Sequence, residues 1–106
     1  MWDMGLVGMP KATDTSFITR IQFRNGSFVP TAPTGTPAYG VYSPSSDTPL
    51  GTGSVSGSDA NSQTGFRTVT LNPSTLGCVA GTVYTVIIPA TVSATSFVLT
   101  YQFLAT

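Results

Sequence analysis

The chain has 106 residues and a net charge of zero, with 41% hydrophobic and only 8% charged residues. This length is enough for one domain, and four basic residues balanced by four acidic ones leave no basic surface able to follow a phosphate backbone. Thr and Ser together supply 30 residues, and with 11 Gly and 8 Pro they favour strands joined by turns. We therefore predict an all-β domain with no nucleic-acid partner.

The residue types needed for most catalytic and metal sites are missing from the sequence. It contains no His, which excludes imidazole bases and His-containing metal sites. The single cysteine, Cys78, excludes an intramolecular disulfide and is interpreted as a small buried apolar side chain. We predict a protein that is not an enzyme, with no catalytic residue, no cofactor and no metal.

No targeting segment is recognisable in the sequence. The first basic residue is Lys11, and Asp3, Gly5 and Gly8 interrupt the apolar run that a signal peptide needs. No apolar stretch approaches the ~20 residues of a membrane-spanning helix. We therefore expect a protein that is made in the cytoplasm and has no membrane partner.

The first 14 residues differ from the rest of the chain. They hold every Met and the only Trp, but Gly5, Gly8 and Pro10 interrupt any regular pattern. We predict that residues 1–14 form an extended arm outside a domain of residues 15–106, and that the arm docks on a neighbouring subunit to bury its apolar side chains. An additional strand on its own domain is the alternative. The predicted partner-binding residues are Trp2, Met4, Leu6, Val7 and Met9.

Alternation and turn residues define the first half of the domain. The first strand is predicted over residues 17–24, with one inward face formed by Phe17, Thr19, Ile21 and Phe23. Asn25-Gly26 then predicts a turn with positive φ. Residues 38–42 predict a second core strand, residues 50–56 a weak strand, and residues 56–65 a mobile loop.

The next segment combines a strand with a tight turn. Phe66, Val69 and Leu71 are all expected to face inward from one strand, which requires a local bulge. Residues 72–77 predict a turn or a single helical turn, capped by Ser74.

The two strongest strands end the chain. Residues 89–96 are predicted to join them, and their inward residues are Tyr84, Val86 and Ile88 in the first strand and Phe97, Leu99, Tyr101 and Phe103 in the second. Six or seven antiparallel strands with turns between them predict a β-sandwich, with a small barrel as the nearest alternative. The predicted core is Ile21, Phe23, Val41, Val69, Tyr84, Val86, Leu99 and Tyr101.

Several short motifs in residues 15–104 resemble one class of small β-modules. The motifs are Val41-Tyr42-Ser43-Pro44, Gly51-Thr52-Gly53, Thr64-Gly65 through Leu71, and Ala80-Gly81 through Val86. Together they are similar to immunoglobulin-like modules encoded among the structural genes of tailed bacteriophages. The resemblance implies an immunoglobulin-like β-sandwich in which Tyr84 forms a tyrosine corner, with a plain core aromatic as the alternative, and either role is structural.

The same resemblance implies a function. We expect a non-enzymatic virion protein, most concretely a capsid decoration or cement protein that binds the major capsid protein or other virion subunits and forms a homo-oligomer. Its location would be the virion, assembled in the host cytoplasm. A neck, tail or fibre protein is the close alternative. A carbohydrate-binding or adhesin module is the second, although most Phe and Tyr occupy predicted inward positions.

Overall fold

The protein is almost entirely β-structure. The computed structural model describes residues 2–106, with the side chain of Trp2 outside the described part. Residues 2–106 form seven strands: β1 (Trp2–Leu6), β2 (Phe17–Gln22), β3 (Ala38–Tyr42), β4 (Gly51–Ser54), β5 (Phe66–Leu71), β6 (Val83–Val92) and β7 (Thr95–Leu104). A 3₁₀ turn at Ala60–Ser62 and a one-turn helix α1 (Pro73–Leu76) lie in the connections. The predicted all-β class is confirmed.

The strands form two sheets that pack as a β-sandwich. The larger sheet has the order β1-β7-β6-β3-β4, and the smaller one pairs β2 with β5. Neighbouring strands are antiparallel except β1 and β7, which run parallel. All strands in residues 15–106 pair antiparallel, as predicted, and the parallel strand β1 comes from the segment that was predicted to be an arm.

The predicted core is confirmed. All eight residues named for it are buried, and they belong to one cluster drawn from both sheets. Val41, Val86 and Tyr101 lie opposite one another on neighbouring strands, so their side chains share the inner face. The Tyr101 hydroxyl lies 2.8 Å from Oγ1 of Thr19 on β2, which joins the two sheets by a polar contact inside an apolar core.

The N-terminal segment lies along the larger sheet. After β1, the Val7 N–H donates to the carbonyl of Gln102 (2.9 Å), and the Thr106 N–H donates to the carbonyl of Pro10 (2.8 Å). In the described residues this segment is therefore the first strand of the sandwich and its continuation, rather than an arm separated from the domain at residue 15. This is the alternative that the sequence left open.

Two glycines explain why the sequence pattern hid this strand. Gly5 has a φ of +69°, and the pairing of β1 with β7 shifts its register between Asp3 and Leu6, so the alternation is broken. Gly8 packs directly against the Phe17 ring. A Cβ atom at this position would lie 2.8 Å from two ring carbons, so a larger residue does not fit. The glycines that suggested an extended arm outside the domain let the chain bend at Gly5 and approach the Phe17 ring closely at Gly8.

The residues of strand β5 that face inward are not all the predicted ones. Its pairing with β2 is continuous from Phe66 to Leu71, so the expected bulge is absent from this pair. Arg67 is buried with Val69 and Leu71, whereas Phe66 is half-buried on the opposite side. Regular alternation places Arg67 on the inner face with Val69 and Leu71, where an ion pair with Asp59 compensates its charge.

Local turn predictions need three further corrections. The cap of α1 is Asn72, whose Oδ1 accepts the N–H of Thr75, and not Ser74. Residues 89–96 belong largely to β6 and β7, so only Ser93 and Ala94 make the turn, both with positive φ. The third correction concerns the Asn25-Gly26 turn, where the residue with positive φ is neither Asn nor Gly but Phe28.

Candidate functional site

Four of the five residues predicted to bind a partner have described side chains, and they fall in two environments. Met4, Leu6 and Met9 remain exposed although the segment lies on its own sheet. Val7 is half-buried and packs against the core. The side chain of Trp2 lies outside the described residues. The structure therefore leaves three of the five predicted residues available to a partner and assigns Val7 to the domain itself.

Leu6 belongs to the outward face of the larger sheet. It lies opposite Gln102 on β7, which lies opposite Thr85 on β6, which in turn lies opposite Tyr42 on β3. Opposed residues project from the same side of a sheet. We call this side the outer sheet face, and its larger apolar residues include Leu6, Val83, Ile87, Pro89, Val98 and Leu104.

The outer sheet face is poor in charge. In the register of β1, β7, β6 and β3, its described strand residues carry one ionisable carboxylate, Asp3, and no basic group. The polar positions are occupied by Thr, Ser and Gln, and Leu6, Val83 and Pro89 are exposed there. A face with few charges and several exposed aliphatic side chains has the composition of a protein interface centre.

A separate groove lies at one end of the sandwich, between the β2–β3 connection and the β6–β7 hairpin. It is open to solvent and has a volume of about 250 Å³. One wall is formed by Phe28 and by Arg24, and the other by the start of β7 and the end of β6. The residues that line it are Arg24, Asn25, Gly26, Phe28, Val92, Thr95 and Phe97. We call this the loop-end groove.

Phe28 is held in an unfavourable backbone conformation at the rim of the groove. Its φ is +60°, a region that bulky side chains rarely adopt, and the side chain is 68% exposed. The Arg24 guanidinium donates to the Phe28 carbonyl (2.7 Å), and the Phe28 N–H donates to the carbonyl of Asn25 (2.9 Å). Oδ1 of Asn25 accepts the N–H groups of Ser27 and Val29. These hydrogen bonds fix the loop conformation in which the Phe28 side chain is exposed.

No family model matches this chain, and no curated protein or solved structure matches it either.

Tyr84 has the environment that the sequence predicted for it. It lies near the start of β6, and its hydroxyl accepts the backbone N–H of Val79, five residues earlier, at 2.7 Å. Its ring stacks on Phe103 with a centroid separation of 5.4 Å. This backward hydrogen bond fixes the chain that enters β6, as a tyrosine corner does.

The Cys78 thiol and the described acidic side chains show no arrangement typical of a reactive or metal-binding site. Burial raises the pKa of the Cys78 thiol, which disfavours the nucleophilic thiolate. Among the residues that the structure describes, no three His, Cys, Asp or Glu side chains converge on a possible metal position. None of the helices in residues 2–106 has the length and the apolar character that a membrane-spanning helix needs.

Sequence reasoning missed the loop-end groove. Phe28 follows an Asn-Gly-Ser turn and precedes Pro30, so it has no place in an alternating strand, and that isolation was the available signal. The corresponding signal for the outer sheet face was that apolar residues also occupy positions between the core residues of β6 and β7. These residues are Val83, Ile87 and Val98.

Proposed function

We propose that the chain is a non-enzymatic virion structural protein, a decoration or cement protein that docks on the major capsid protein or on other virion subunits. In this proposal the outer sheet face is the docking surface. Leu6, from the segment that the sequence assigned to partner binding, is exposed on this face, which also carries exposed Val83 and Pro89 on β6.

We also infer that the sandwich is of the immunoglobulin-like type. Two observations support this inference. The pairing of β2 with β5, opposite a sheet that contains β3, β6 and β7, is the division of strands found in immunoglobulin domains. The hydroxyl of Tyr84 makes the hydrogen bond of a tyrosine corner at the start of β6. Together with the sequence motifs, these features favour the resemblance to phage structural modules.

The observation that carries the docking proposal is the lack of charge on the outer sheet face. A solvated sheet face of a monomer commonly alternates charged and polar residues, whereas Asp3 is the one charged residue in the described register of this face. Covering exposed Leu6 and Val83 with a partner removes apolar surface from water at little electrostatic cost. The partner surface should therefore be apolar and uncharged.

The test is to purify the phage particles whose genome encodes the chain and to measure its copy number by quantitative mass spectrometry. A copy number comparable to that of the capsid subunit supports a decoration role, and a few copies per particle support a neck, tail or fibre role. Because the face has one charge, washing in 1 M NaCl should not release the protein. Absence of the chain from purified particles would refute the proposal.

A further inference from the structure

We propose that the outer edge of β2 binds an extended, acidic peptide segment of a second protein partner, which adds to the smaller sheet as a further antiparallel strand. This edge belongs to the smaller sheet and uses none of the residues named for the outer sheet face. The inference does not depend on the proposed function.

The backbone of β2 is open on the side away from β5. Arg20 lies opposite Thr68 on β5, and Thr68 is hydrogen-bonded on the far side of β5 to Ser56: its N–H donates to the Ser56 Oγ (3.0 Å) and its carbonyl accepts the Ser56 N–H (2.9 Å). Opposed residues of an antiparallel pair turn their backbone groups either toward each other or away from each other. The backbone groups of Arg20, and those of Ile18 and Gln22 two positions away, therefore point away from β5. None of these N–H and carbonyl groups has a hydrogen-bond partner in residues 2–106.

The other three sheet edges are protected against an added strand. At β5, Ser56 already occupies the edge beside Thr68. At β1, the register shift between Asp3 and Leu6 interrupts the strand, and β4 spans only four residues. By contrast, β2 keeps a continuous register over six residues and contains no proline. Among the described strands, β2 therefore has the edge best suited to strand addition.

The charge beside this edge favours an acidic occupant. The Arg20 side chain is exposed on the outward face of β2 and makes no hydrogen bond or ion pair with the described residues. Neither β2 nor β5 contains an acidic residue. A carboxylate placed opposite Arg20 on an added strand would lie on the same face as the guanidinium and pair with it.

The same arginine argues against a second copy of this chain as the occupant. In the registers that pair most of β2 with itself, each Arg20 would lie opposite or diagonal to the other, with no acidic residue in either strand to offset the charge. Like charges at these positions oppose pairing, and a charged residue on an edge is a common protection against self-association. An acidic strand from another protein therefore fits this edge better.

Apolar contacts are available on both faces of an added strand. On the outward face, Ile18 is 56% exposed. On the other face, a solvent-open depression of about 240 Å³ lies between β1 and the end of β2, with Met4 and Leu99 as its apolar residues. Side chains of a strand alternate between the two faces. The bound segment should therefore combine a carboxylate on the outward face with apolar side chains directed toward β1.

The experiment is a titration of the isotope-labelled protein with blocked pentapeptides, followed by amide shifts and amide hydrogen exchange in NMR. Acetyl-Thr-Val-Glu-Val-Thr-amide is the probe. We expect it to shift residues 17–22 and to slow exchange of the Ile18, Arg20 and Gln22 amides, with a millimolar Kd. The peptide with Gln in place of Glu lacks the charge and should bind up to about fivefold more weakly, as for an exposed ion pair.

Two methylated peptides test whether the probe adds as a strand. N-methylation of its Glu removes the N–H that would donate to the Arg20 carbonyl, so it should abolish binding. N-methylation of the Val that follows is the matched control, because the N–H of that residue points away from β2, and most of the binding should remain.

Two variants of the protein test the role of the charge. Arg20→Gln should bind the Glu and Gln peptides equally. Lys11→Gln removes an exposed cation outside the strands and should keep the preference for Glu. Both positions are exposed, so both variants should keep the wild-type melting temperature.

Four results would overturn the proposal. The first is no shift with the Glu peptide at 20 mM, a level about twentyfold above a millimolar Kd. The second is equal affinity of the wild-type protein for the Glu and Gln peptides. The third is undiminished binding of the peptide methylated at Glu. The fourth is slow exchange of the same three amides in the protein alone, together with a dimer in sedimentation equilibrium, which would assign the edge to a second copy.

Discussion

The Arg67 side chain and the Asp59 side chain form an ion pair, with 2.9 Å between Nε and Oδ1. The same Oδ1 accepts the N–H of Gly65, and the Arg67 guanidinium also donates to the carbonyl of Ser56. The ion pair therefore closes residues 56–65 onto β5. A segment whose composition predicted a mobile loop is folded against the sandwich by one buried arginine.

The first prediction concerns this ion pair. Asp59→Ala should lower the free energy of unfolding by about 1–3 kcal/mol, because the nearly buried Arg67 loses its partner. Asp47→Ala, at an exposed acidic position, is the control and should change stability by less than about 0.5 kcal/mol. Urea unfolding of both variants checks this, and equal stabilities would show that the pair contributes nothing.

The second prediction concerns the Tyr84 hydroxyl. Tyr84→Phe keeps the stacking on Phe103 but removes the acceptor for the Val79 N–H, so stability should fall by about 0.5–1.5 kcal/mol. Tyr42→Phe is the control, since the Tyr42 hydroxyl makes no hydrogen bond in the described part of the chain. A melting temperature of Tyr84→Phe equal to that of Tyr42→Phe would contradict the structural role.

The third prediction concerns β1. Removing residues 1–8 deletes the pairing with β7 and the packing of Val7 on the core, so the free energy of unfolding should fall by at least about 2 kcal/mol. It also exposes the edge of β7, which should promote aggregation. Thermal unfolding monitored by circular dichroism measures the loss. An unchanged melting temperature would restore the view of this segment as a separate arm.

The fourth prediction concerns pH. Burial raises the pKa of Tyr101 to about 12, although its contact with Thr19 acts in the opposite direction and nearby Tyr39 adds to the rise. In the unfolded chain the Tyr101 hydroxyl ionises near pH 10. The stability that the buried neutral hydroxyl contributes is therefore fully present below pH 10 and is lost as the pH rises towards 12. Urea unfolding between pH 9 and 12 should show this loss, and Tyr101→Phe should show less of it.

Strand alternation was enough to predict the sandwich core because the inner residues of β2, β6 and β7 repeat every second position. Alternation gave a wrong prediction where a polar residue is buried or where an apolar strand is irregular. Arg67 is polar but buried, because Asp59 compensates it. β1 is apolar but irregular, because Gly5 introduces a bulge and the strand runs parallel to β7.

The candidate sites were harder to predict for a different reason. Leu6 was identified as a partner-binding residue, but Val83 and Leu104, which lie on the same sheet face, are distant in sequence and share that face only through strand register. The loop-end groove depends on the left-handed φ of Phe28, and the isolation of this aromatic residue in the sequence does not specify that φ. Surfaces assembled from several strands or from strained loops depend on tertiary structure.

The most direct test of the account compares two substitutions on opposite sides of the sandwich. Leu6 lies on the outer sheet face and Ile18 lies on β2, and both side chains are 56% exposed. Particles lacking the protein should be incubated with purified Leu6→Asp or Ile18→Asp, each first checked for a wild-type melting temperature, and bound copies counted. The account predicts that Leu6→Asp loses most of its binding while Ile18→Asp binds as the wild type does. Normal binding by Leu6→Asp together with loss for Ile18→Asp would contradict the assignment of the outer sheet face as the docking surface.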